Sequence, residues 1–128
     1  MAYLLDTHTL LWFVAGDKQL PESSKEIIKN VNESCFLSAT SLWEITIKHQ
    51  LKKLELGISL EELFEFVERN QIEIIPINSL HLLQLSKLPF YHHDPFDRMI
   101  IAQAISENLK LISRDHIFKN YPVSLVWE

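Results

Sequence analysis

This chain has little of what would staple it, anchor it or draw it broadly to a polyanion. Its single cysteine, Cys35, has no partner, which excludes a disulfide framework and favours a reducing, intracellular setting. Lying in the apolar stretch SCFLS, it reads as a core thiol. No apolar run approaches the roughly 20 residues of a membrane span. The N-terminus MAYLLDTH lacks a basic n-region and reaches Asp6 too early for a signal peptide. The expectation is a cytoplasmic protein with no membrane partner. A basic excess is also missing: 12 Lys and Arg stand against 17 Asp and Glu, a formal charge of −5. A domain that binds nucleic acid by broad electrostatic attraction is usually basic. Either the partner is small, or the acids are gathered in a site while a local basic strip meets the phosphates. Lys48, His49, Lys52 and Lys53 form such a strip, which equally reads as a solvated helix face.

What is present is apolar material in quantity. With 47% hydrophobic residues in 128 and only two glycines, the chain fits a single domain over residues 1–128. It has core enough to stand without staples and apolar surface to spare for a dimer face. There is no internal repeat, low-complexity tract or linker. Strand-like and helical patterns alternate. Ala2 to Leu5 is a short strand, Thr7 to Ala15 a helix, and Pro21-Glu22 opens a second helix to about Val31. SCFLS (Ser34 to Ser38) is the next strand, and Ala39 to Lys53 a helix with Leu42, Ile45, Ile47 and Leu51 on its apolar side. Ser59 and Glu62 make a capping box for a helix through Arg69, whose inward stripe is Leu60, Leu63, Phe64 and Val67. Ile72 to Ile75 is a strand, Leu80 to Leu88 a helix ended by Pro89, and Pro95 to Glu107 another helix. Lys110 to Ile112 is a strand, His116 to Asn120 a short helix, and Val123 to Trp127 the last strand. Five strands separated mostly by helices imply an α/β fold with a central parallel five-stranded sheet, right-handed crossovers and helices on both faces.

Four acids occupy the segment ends of that pattern: Asp6, Glu44, Asp97 and Asp115. Ligands on open parallel sheets sit beyond the carboxyl ends of the strands, near a switch in strand order, and Asp6 and Asp115 follow strands directly. Each acid also has a purely local reading. Asp6, Asp94 and Asp115 can cap the helices that follow them, Asp97 suits the third helical position, and Ser41 with Glu44 can form a capping box. Caps do not require acids at one edge of one sheet, however, and Glu44 on an apolar helix would be expensive without a partner. Converging carboxylates are hard oxygen donors suited to Mg²⁺ or Mn²⁺, and thus to chemistry on phosphate esters.

The words around these acids resemble the PIN domain, and within it the ribonuclease toxins of the VapC type from VapBC toxin–antitoxin pairs. LLDTHTLLWF carries the first acid, SATSLWEITIK the second, DPFDRMIIAQA the third and LISRD the fourth, over nearly the full length. The resemblance implies an α/β/α sandwich and a divalent-metal endoribonuclease. It assigns Asp6, Glu44, Asp97 and Asp115 as catalytic and metal-binding, with Mg²⁺ as cofactor and Mn²⁺ able to substitute. RNA is the implied substrate, and the implied partners are a small VapB-like antitoxin and a second copy of the chain. Which RNA is cut stays open, as does the choice of Glu44 or Asp115 to orient the attacking water.

Thr7 and Ser113 are candidates to hydrogen-bond the carboxylates or a phosphate, or to satisfy local turns. Asp94 ranks below the four acids. Arg98 and Arg114 adjoin acids and suit a phosphate clamp, although Arg98 on a helix also suits an outward surface pair. His92 and His93 lack further ligands for zinc and read as a solvated loop. Trp12, Phe13 and Trp43 read as core before stacking platforms. Two rival classes stand beside the nuclease. One is a catalytically silent PIN-like module that binds RNA or protein. The other is a Mg²⁺-dependent phosphatase or phosphoacceptor domain, whose pattern wants a second aspartate where this chain has His8.

Overall fold

The computed structural model describes residues 1–128. The order is β1 (Ala2–Leu5), α1 (Thr7–Ala15), α2 (Glu22–Lys29), β2 (Ser34–Ser38), α3 (Ala39–Gln50), α4 (Leu60–Arg69), β3 (Glu73–Ile75), α5 (Ser79–Ser86), α6 (Pro95–Ser106), β4 (Lys110–Ile112), a 3₁₀ turn (His116–Asn120) and β5 (Leu125–Val126). The five strands form one sheet, parallel throughout as the alternation predicts, and their order is β3-β2-β1-β4-β5.

That order locates the site. The chain winds outward from β1 to β3, then crosses back to β4 on the other side of β1, so strand order switches between β1 and β4. At such a switch the two crossovers leave on opposite faces and open a crevice at the carboxyl edge. One face of the sheet is covered by a cluster built on Leu5, Leu10, Phe13, Leu37, Ile45, Leu63 and Val67. The other is covered by Leu4, Ile100, Ile101, Leu111 and Phe118. The alternation of Leu4 and Leu5 to opposite faces is the period-two rule of a strand buried on both sides.

Local structure departs from expectation in a few places. α3 stops at Gln50 because Lys52 adopts a left-handed backbone, φ 58°. Lys52 and Lys53 therefore do not share a helix face with Lys48. α5 ends at Ser86, before Pro89. On α4, Leu63 and Val67 point inward but Phe64 is exposed. Trp43 is exposed too, by 59%, and lies edge-on to Phe96 at 5.2 Å. It joins α3 to the start of α6 instead of filling the core. In both cases the helix buries a narrower stripe than its apolar content suggests. No helix is long and apolar enough to cross a membrane.

Candidate active site

Each acid arrives at the carboxyl edge for a local reason. Asp6 follows β1 and is the N-cap of α1, its Oδ1 accepting from the Thr9 N–H at 2.7 Å. Its own N–H and the Thr9 hydroxyl both donate to the carbonyl of Ile112 on β4, at 3.2 and 2.8 Å. β1 and β4 are thus stitched together where the acid leaves the sheet. Asp115 follows β4 and caps the 3₁₀ turn through the Ile117 N–H at 3.0 Å. α6 runs back toward the amino edge into β4, so its first turn lies at the carboxyl edge. Asp94 caps that turn by accepting from Phe96 and Asp97 N–H at 2.9 and 3.1 Å, with Pro95 at the first helical position. The capping readings are therefore correct for Asp6, Asp94 and Asp115, and capping is how the fold holds two of the four acids in place.

Glu44 is different. The cap of α3 is Ser38, not Ser41, and the Ser41–Glu44 capping box does not form. Ser41 and Thr7 meet at 2.9 Å, and the Thr7 hydroxyl lies 3.0 Å from Glu44 Oε1. Glu44 Oε2 accepts from Lys48 Nζ at 2.7 Å, which holds the Lys48 ammonium above its usual range. A buried carboxylate on an apolar helix thus finds the partner its burial demands.

The four acids share one electrostatic field. Burial, then the negative charges of Asp94, Glu44, Asp6 and Asp115, push the Asp97 carboxyl up to about 7. Burial also raises Asp6, against the opposing hydrogen bonds from Ser113 and Thr9. The Ser113 hydroxyl donates to Asp6 Oδ2 and accepts from the Asp115 N–H at 3.1 Å, linking the acid after β1 to the acid after β4. As placed, no three His, Cys, Asp or Glu side chains are close enough to ligate a single ion. The reason lies in their partners: Asp6 is held by Thr9 and Ser113, Glu44 by Thr7 and Lys48, and like charges stand apart.

His92 belongs to this site and not to a solvated loop. The Tyr121 hydroxyl accepts from the His92 N–H at 3.3 Å and lies 2.7 Å from the ring Nδ1. It also accepts from Arg98 at 3.3 Å. The ring Nε2 has no hydrogen-bond partner and faces Asp97 Oδ2 at 3.7 Å. Nothing in the order of residues pairs His92 with Tyr121, 29 positions away.

The two arginines are not aimed at the acids. Arg98 is buried and neither clamps a phosphate nor forms a surface pair. Its guanidinium donates to the carbonyls of Pro89 and Leu88 at 2.8 and 3.2 Å and lies 4.0 Å from the Phe90 ring centroid. Arg114 donates to Gln19 at 2.7 Å. His93 stacks on Phe90 at 5.2 Å.

The chain matches the model of the PIN domain over residues 3–123. It is 25% identical to ribonuclease VapC22 of Mycobacterium tuberculosis, across 92% of this chain and 90% of that one. Its fold is that of a chain in the crystal structure of VapBC2 from Rickettsia felis bound to a DNA fragment from their promoter. There the TM-score is 0.75, with 20% identity and 100% of both chains covered. It is also that of a chain in VapBC-1 from nontypeable Haemophilus influenzae, with a TM-score of 0.66, 18% identity, and 98% and 97% covered. The family match spans nearly the whole chain, and this chain belongs to the PIN domain family.

Proposed function

We propose that this protein is a divalent-metal-dependent endoribonuclease, the VapC-type toxin of a type II toxin–antitoxin pair. The observation that carries the reading is the convergence of Asp6, Glu44, Asp97 and Asp115 from four separate segments on one field at the β1/β4 switch. The ribonuclease relative and the VapBC folds support it. The all-oxygen donor set suits Mg²⁺, with Mn²⁺ able to replace it. Burial and then the neighbouring negative charges raise Asp97, and the second of these is of the kind a bound cation relieves.

Asp6 and Asp97 would hold the ion, and Glu44 and Asp115 would complete the shell directly or through water. When bound, a divalent ion polarises the scissile phosphoryl oxygen and makes water a better nucleophile. The chain supplies orientation. Ser113 and Thr9 fix both oxygens of Asp6, and His92 Nε2 faces Asp97. Asp115 has one oxygen on the Ile117 N–H, and its other oxygen would take a proton from the attacking water. Glu44, engaged by Lys48 and Thr7, suits that role less.

A soluble ribonuclease with an open acidic crevice needs restraint. A small antitoxin would supply it by placing an Arg or Lys among the acids. A second copy of the chain would cover exposed leucines of α5 such as Leu80 and Leu83. The test is metal-dependent cleavage of an RNA pool by the purified chain, with growth arrest on induction and rescue by the neighbouring gene. Binding without cleavage in Mg²⁺ or Mn²⁺ would leave a silent PIN-like module.

A further inference from the structure

Beside the acids lies an open cavity of about 300 Å³ whose outer wall the reaction as described leaves unused. It is lined by Asp6, His8, Trp12, Arg114, Asp115 and His116. We propose that it is a nucleotide subsite, which seats the base and phosphate of a single-stranded RNA residue next to the scissile bond. This rests on the nuclease reading above.

The cavity has two walls of different chemistry. One is a face of α1, where His8 and Trp12 stand four residues apart and their rings lie 5.8 Å apart. The other is the turn after β4, which brings Arg114 and His116. Asp6 and Asp115 are common to both the cavity and the acid cluster, so an occupant is next to the reacting phosphate without further movement. Trp12 rests on Trp127, centroids 5.7 Å apart, yet keeps part of its ring in the cavity. The Arg114 guanidinium lies 5.8 Å from the Trp12 ring centroid and is held by Gln19 at 2.7 Å. A supported indole beside a restrained guanidinium suits a nucleobase, because unstacked bases dock on aromatic and arginine planes. The remaining guanidinium donors suit a phosphate.

Charge favours the same placement. The chain is net negative, and the acid cluster repels an RNA backbone. Among the basic side chains beside the acids, Lys48 is paired with Glu44 and Arg98 is bound to carbonyls. Arg114, exposed and bonded only to a neutral glutamine, is the cation best able to meet a phosphate at this edge. The two exposed histidines add hydrogen-bonding groups for a base edge.

The experiment measures anisotropy of a fluorescein-labelled single-stranded oligoribonucleotide with the full chain carrying Asp97→Asn, so that nothing is cut. Trp12→Ala should weaken binding about five- to a hundredfold, Arg114→Gln should weaken it severalfold, and Trp12→Phe should retain most of it. In the cleaving chain the same changes should raise KM by similar factors with kcat nearly constant. Arg114→Gln and His116→Ala touch no core, so they still test the subsite if Trp12→Ala unfolds. Cleavage by the parent chain with Kd and KM unmoved in these variants overturns the subsite and leaves the nuclease reading intact. Trp12-dependent binding by a parent chain that cuts no RNA does the reverse. Loss of antitoxin capture with RNA affinity unchanged would give this wall to the protein partner and also overturn the proposal.

Discussion

Asp97 and Arg98 are neighbours on α6, and their surroundings follow opposite rules. Arg98 is buried among groups that match it: two carbonyls, the Tyr121 hydroxyl and the face of Phe90. Asp97 is surrounded by groups that do not. Burial, and then four other carboxylates, oppose its ionisation, and the nearest imidazole nitrogen is 3.7 Å away. A matched buried charge holds the 88–90 segment against α6 and the chain after the 3₁₀ turn. A mismatched cluster stores repulsion that a cation can release. Adjacent helical positions diverge by about 100°, which lets one turn serve both the scaffold and the site.

The largest test of that contrast is Asp97→Asn. It should remove detectable RNA cleavage while leaving the fold intact, and the metal-free variant should melt at or above the parent temperature. Unfolding of the variant would place Asp97 in the scaffold with Arg98. The pH dependence has a definite sign. The Asp97 carboxyl is raised from 3.8 to about 7 in the folded chain, so between those values the native state holds a proton that the unfolded chain has lost. Metal-free stability should therefore fall as pH rises from about 4 to about 7, and Asp97→Asn should flatten the slope. Thermal melts across that window measure it.

Arg98→Met should have the converse signature. It leaves two carbonyls and the Tyr121 hydroxyl without their donor and should cost about 2–4 kcal/mol in urea unfolding. Residual cleavage per folded molecule should far exceed that of Asp97→Asn. A similar loss of kcat in both variants would dissolve the distinction.

Metal should sharpen the comparison from the other side. If the folded chain binds Mg²⁺ and the unfolded chain does not, a hundredfold excess over Kd stabilises by about 2.7 kcal/mol. Asp6→Asn should abolish that gain, whereas Arg98→Met should keep it. A zinc-only response untouched by Asp6→Asn would instead implicate His92 and His93.

The smallest effect belongs to Asp94→Asn. Asparagine caps a helix about as well as aspartate, so the first turn of α6 should persist and cleavage should fall less than in Asp97→Asn. Equal loss would make Asp94 a ligand. The direct readout is kcat of the two variants at saturating metal.

Much of this molecule was legible in one dimension because its signals are local. Strand ends at a cap such as Asp6 or at Pro76 are local signals, and the alternation of strand and helix specifies a parallel sheet, although the last strand, expected over Val123 to Trp127, is only Leu125–Val126. The acids were visible for the same reason: Asp6, Asp94 and Asp115 sit at caps, which are read within three residues. Long-range partnership was not legible. Ser41 looked like a capping residue for Glu44 but instead meets Thr7, 34 positions away. Trp43 and Phe64 looked like core because apolar content says how much a helix can bury, not which stripe the neighbouring helix covers. Arg98 looked like a phosphate clamp because it follows an acid, when its carbonyl partners come from a loop nine and ten residues earlier.

The sequence by itself determined which residues could act as hard oxygen donors and which segments would carry them to a sheet edge, since caps, periodicity and strand ends are encoded over a few residues. Only the tertiary structure decided which acid is compensated and which is not. That depends on Lys48 reaching Glu44, Ser113 reaching Asp6 across 107 positions, and the Tyr121 hydroxyl turning His92 toward Asp97. Electrostatic interaction depends on distance through space, and that distance exists only once β4 has crossed back to lie beside β1.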